Sequence, residues 1–119
     1  MSALRTLAEW LRGRRAPTQA VALRIEREER QLAYLRNATR LRNEARALFA
    51  EAQAVECFAE RYRLYCLALA AECRAEANHA LAGGDAESAA QHTMEAEGYD
   101  RRAGLPVPVP SAPMEAAHA

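Results

Sequence analysis

Lysine does not occur in this chain of 119 residues, so every one of its 16 Lys-or-Arg positions is arginine. The absence reads most simply as a GC-rich coding background, which fits a bacterial, phage or GC-rich protist source and says nothing about chemistry. β-Branched residues are few, which argues against a sheet. Aromatic residues make up only 6% of the chain, and the longest apolar run, Leu64 to Ala71, is far short of the roughly 20 residues a membrane span requires. No signal peptide is expected. Glycine and proline are both missing from Thr18 to Ala82, a length over which nothing commands a helix to stop.

The absences extend to the motifs that carry chemistry. The only cysteines, Cys57, Cys66 and Cys73, contain no C-x-x-C pair, so zinc-ligand spacing is lacking. Cys66 and Cys73 are seven residues apart, a rise of about 10.5 Å along a helix. That exceeds the roughly 7 Å Cα separation a disulfide tolerates. All three are expected to be unbridged, small apolar core residues, a set that fits a reducing compartment, cytoplasm or virion interior. There is no glycine-rich phosphate loop, no zinc-finger spacing and no helix-turn-helix pattern. His79 and His92 flank the Gly83 to Asp85 turn with Glu76 and Glu95 nearby, but no H-E-x-x-H pattern accompanies them and no metal site is expected. Neither a catalytic constellation nor a cofactor motif is legible, and a non-enzymatic role is the expectation.

What is present is a helix-forming composition: 29 alanines and 16 arginines, with glutamate and leucine. Net charge is zero but unevenly spread. Residues 1 to 46 hold eleven Arg against five Glu, and residues 47 to 119 hold five Arg against eleven acids. Such a dipole can bring protomers together or turn a basic end towards phosphate or an acidic partner. Pairs such as Glu26 with Arg30 and Arg40 with Glu44 also suit a solvated helix face.

The expected fold is all-α, with one helical domain over residues 1–103 and an extended tail over 104–119. A short amphipathic helix is expected over 2–12, capped by Ser2 and ended by Gly13, with Leu4, Leu7 and Leu11 on one face and Trp10 at its border. This basic segment is similar to interfacial or transit-like stretches. Thr18 then caps a long helix over 19–82, continuous or kinked near 37–43, where Asn37, Asn43 and two Leu-Arg-Asn triplets fall. A turn there, folding 19–36 back, is the alternative. Val21, Ile25, Leu32 and Leu35 step with coiled-coil spacing. So do Leu41, Ala45, Leu48, Ala52, Val55, Ala59, Tyr62, Cys66, Leu69 and Cys73, and the two stripes are out of phase. Gly83 and Gly84 stop the helix, Asp85 caps the next over 86–102, and a small-residue face there predicts an antiparallel helical hairpin. From Leu105 onward alternating proline favours extended polyproline II geometry.

A helix over 19–82 would be about 96 Å long and the returning helix only about 27 Å. Most of the long helix would then need cover from elsewhere. The residues expected to meet protein partners, including further copies of the chain, are Leu41, Leu48, Phe49, Val55, Phe58 and Tyr62 on the helical stripe. To these are added Leu7, Trp10, Arg12, Arg14 and Arg15 in the basic segment and Val107 and Val109 in the tail. Nucleic acid is expected only as nonspecific phosphate contact through Arg12, Arg14 and Arg15. The pattern points to a structural or assembly protein, with a phage virion component such as a head-to-tail adaptor, internal or ejection protein as the expected setting. The alternative is a free-standing helical regulator or adaptor that binds one protein target, a toxin-neutralising protein among them.

Overall fold

A computed structural model describes residues 18–105. The expected helix over 2–12, with Leu7, Trp10, Arg12, Arg14 and Arg15, and the tail positions Val107 and Val109 lie outside them. Among the described residues the chain is all-helical, in three helices: α1 (Gln19–Ala54), α2 (Phe58–Ala82) and α3 (Ala86–Gly104). The expected helical hairpin is present as α2 and α3. The expected single helix over 19–82 is not: it is two helices folded against each other, so the chain makes two successive hairpins.

The reversal falls at Val55 to Cys57, and α1 runs as helix through 37–43, so the alternative of a turn there, folding 19–36 back, is not what the chain adopts. Val55 and Cys57 both adopt extended backbone, and no glycine or proline assists them. Arg61, one turn into α2, supplies the missing stop signal. Its Nε and Nη2 donate to the Val55 carbonyl at 3.0 and 2.6 Å, satisfying an acceptor that the end of α1 leaves without a helical partner. Interrupting a helix here forgoes about three backbone hydrogen bonds at a net of about 1 kcal/mol each. Folding back buries Leu41 and Leu64, each worth about 1.5–3 kcal/mol, together with a series of alanine methyls. Burial wins.

Thr18 caps α1, its side chain accepting from the Val21 N–H at 3.2 Å. The second reversal follows the expected logic closely. Gly84 has φ +79°, the Asp85 N–H donates to the Ala80 carbonyl at 2.8 Å, and the Gly84 N–H donates to the Leu81 carbonyl at 3.0 Å. This pair of bonds around a left-handed residue is a Schellman motif. The Asp85 carboxylate then accepts from the Ser88 N–H at 3.0 Å and starts α3. Helix α3 extends two residues past the expected end at 102 and includes Gly104.

Among the described residues α1 and α3 each pack on α2 and not on one another. The reason is written in α2. Leu64, Ala68, Ala71 and Ala75 form one buried row, and Cys66, Ala70 and Ala77 form another. The rows are offset by two residues, which is about 200° around a helix of 3.6 residues per turn. Neighbours on those rows therefore stand on opposite sides of α2, and the three helices form one flat layer. Ala38 and Leu41 of α1 meet Ala75 of α2. Apart from Leu41, Leu64 and Cys66, every buried residue among those described is alanine. Small side chains at both seams suit close helix approach. Gln31 ties α1 to the far end of α2, donating from Nε2 to the Ala82 carbonyl at 2.9 Å.

Candidate interaction face

A layer one helix thick has two broad faces, and here they differ. On one face α2 presents Phe58, Tyr62, Tyr65, Leu69, Glu72 and Glu76, alternating steps of four and three that keep a single side of the helix. Alongside it α1 presents Arg42, Arg46 and Phe49 at the same spacing, and α3 presents His92, Glu95, Tyr99 and Arg102. Contacts between α1 and α2 hold their two rows on one face, and His92 and Glu95 of α3 line a cleft with them. Arg42 Nη2 lies 3.0 Å from Glu76 Oε1, and the rings of Phe49 and Tyr65 are 5.8 Å apart, centre to centre.

The face is graded along its length. Towards the Val55 turn it is aromatic: Phe49, Tyr62, Tyr65 and Leu69 are half-buried and Phe58 is 45% exposed, its ring 6.2 Å from that of Tyr62. Midway it is charged. A cleft of about 390 Å³ opens over α2 between α1 and α3, lined by Arg42, Arg46, Glu72, Cys73, Glu76, His92 and Glu95. Its two rims carry opposite character, with arginines from α1 on one side and Glu95, 3.5 Å from His92, on the other. Burial, followed by the negative charges of Glu95 and Glu72, pushes the Cys73 thiol above its ordinary value against the pull of Arg74. It is therefore held protonated, the opposite of an activated nucleophile. Beside the cleft, the Arg102 guanidinium lies 5.1 Å over the Tyr99 ring.

The other face is closed by polar pairs. Arg74 bonds Asp100 across the α2 to α3 seam, and Arg63 bonds Glu60 at 2.7 and 3.2 Å, which holds the Glu60 carboxyl below its usual range. Asn78 Nδ2 donates to the Arg74 carbonyl at 2.9 Å. Among the described residues, no group of three or more His, Cys, Asp or Glu could hold a metal ion.

Several residues expected on an uncovered stripe are placed otherwise. Leu41 is 9% exposed and is covered by α2, because the stripe it heads folds back on the chain itself. Leu48 is half-buried. Val55 forms the turn and is half-buried as well. Phe49, Phe58 and Tyr62 do reach the aromatic part of the open face. Cys57, expected in the core, is exposed in the turn, whereas Cys66 is buried and Cys73 half-buried. Tyr65, Glu72, Glu76, Glu95 and Tyr99 were not singled out as partner residues. The row from Phe58 to Glu76 does have coiled-coil spacing, but the competing row through Cys66 and Cys73 has it too. Only the positions of α1 and α3 decide which is open.

Compared with protein-family models, curated proteins and solved structures, the chain matches none. Among the described residues no helix is long and apolar enough to cross a membrane.

Proposed function

We propose that this chain is a non-enzymatic packing module that works by laying its aromatic and charged face against protein subunits of a larger assembly, a phage virion being one such setting. The observation that supports this is the single-layer arrangement. Helical domains ordinarily bury their apolar stripes between at least two packed layers. Here α2 is flanked on two sides and open on a third, and the residues left there are Phe, Tyr and Leu towards one end and Glu72 and Glu76 towards the other, with arginines, His92 and Glu95 at the rims. Aromatic residues and arginine are the types that dominate the energetics of protein contacts. The Pro-rich segment beginning at Leu105 belongs to the same proposal on sequence grounds. Val107 and Val109 alternate with prolines, and a polyproline II segment gives up little conformational entropy on docking.

A photoreactive amino acid placed at Tyr62 or Leu69 in cells tests this reading against the same probe at Arg40, on an exposed outer position of α1. Adducts of defined mass are expected from positions 62 and 69 and not from 40. Equal labelling from all three, or none from any, refutes it.

A further inference from the structure

Resting on that reading, we infer that the occupant of the open face is a second copy of this chain, stacked face to face about a two-fold axis that runs along α2. Three observations support it.

The first is area. A helix of 25 residues such as α2 is about 37 Å long, and three helices spaced 8–10 Å apart make a layer nearly 30 Å wide. One face then offers roughly 1,000 Å², against the roughly 800 Å² each partner contributes to a standard interface. The second is the shortage of core. The described residues bury chiefly alanine, and a second layer would cover what Phe49, Phe58, Tyr62, Tyr65 and Leu69 still expose.

The third is charge, and it selects both the partner and the axis. Turning one layer over about an axis along α2 sets the α1 rim of each copy over the α3 rim of the other. Arg46 then meets Glu95 and His92 of the second copy, twice by symmetry, while Tyr62, Tyr65, Leu69 and Glu72 meet their own equivalents, the Glu72 pair with Arg46 of each copy lining the same cleft. An axis across the helices would instead lay α1 on α1 and bring the Arg42 and Arg46 rows together. Glu76, already paired with Arg42, enters the interface neutralised. A chain of zero net charge adds no long-range repulsion to the encounter. The contact is isologous, the same patch on both copies, and closes at a dimer.

Sedimentation equilibrium of the full chain over a wide concentration range tests this. The expected species has twice the 13.1 kDa chain mass. Arg46→Glu and Glu95→Arg each place like charges at both rims and should weaken the dimer at least tenfold. The two together restore opposite charges across the interface and should bring the dissociation constant back to within about threefold of the parent. Both positions are exposed, and circular dichroism checks that each variant keeps its helicity. A chain that stays monomeric at about 1 mM, or a double variant no better than either single one, overturns the two-fold. If the mass is monomeric and deleting residues 106–119 speeds hydrogen exchange at Tyr62 and Tyr65, the chain's own tail is the occupant. A monomer that still yields photo-adducts from positions 62 and 69 leaves the packing reading standing with a different protein partner. A monomer that yields none removes both.

Discussion

Leu64 and Phe58 lie on the same helix, less than two turns apart, and their surroundings differ sharply. Leu64 is 2% exposed on the row that meets α1, whereas Phe58 is 45% exposed at the aromatic end of the open face. The larger side chain is the one left in water, which is the reverse of what folding alone would select. Leu64→Ala is expected to lower stability by about 2–5 kcal/mol, since alanine neighbours on both seams cannot collapse far into the space. Phe58→Ala in the dilute monomer should cost under about 1 kcal/mol. Urea unfolding followed by circular dichroism compares them, and equal losses would mean that Phe58 serves the fold rather than a contact.

The two reversals are built on different chemistry. Between α2 and α3 a pair of glycines is used asymmetrically: Gly84 holds φ +79° with open space where a side chain would project, and Gly83 has an ordinary negative φ. Gly84→Ala is expected to cost about 1 kcal/mol, from left-handed strain partly offset by a stiffer unfolded chain. Gly83→Ala, whose added methyl would meet only the His79 and Ala80 carbonyls at ordinary contact distance, should not lower the melting temperature. Thermal melts of the two variants check the asymmetry. Between α1 and α2 no special backbone residue exists, and a guanidinium from the following helix does the work. This explains why one turn was legible and the other was not. Glycine before an aspartate cap is a local signal, readable from three residues. Arg61 acts as a cap only because α2 already lies where its side chain reaches back to Val55, and in a sequence of sixteen arginines nothing marks it.

At the scale of the molecule, the fold-back at Val55 to Cys57 separates a rod from a layer, and the distance between Glu44 and Glu72 reports it. Along one continuous helix those positions would be about 42 Å apart. With α1 and α2 as antiparallel neighbours, spin labels there should lie within about 25 Å, allowing for the label arms. Double electron-electron resonance on an E44C/E72C chain lacking the three native cysteines, diluted with unlabelled protein, measures the separation. A distance near 40 Å would contradict the layer.

The sequence by itself determined that the chain is helical, because its composition is rich in helix formers and poor in β-branched residues. It likewise determined where α1 begins, at the Thr18 cap, and where α2 gives way to α3, at Gly83 to Asp85. Those features rest on interactions between residues a few positions apart. It could not determine that Leu41 faces inward and Tyr62 outward, since coiled-coil spacing marks a row as able to be buried without saying against what. That choice belongs to the tertiary structure. Two rows on α2 about 200° apart each receive a helix, and the third row, equally periodic, is left open because the described chain supplies no further helix to cover it. Burial is a property of what lies opposite a side chain, and what lies opposite is decided by contacts such as Gln31 with Ala82 and Arg42 with Glu76, between residues far apart in the chain.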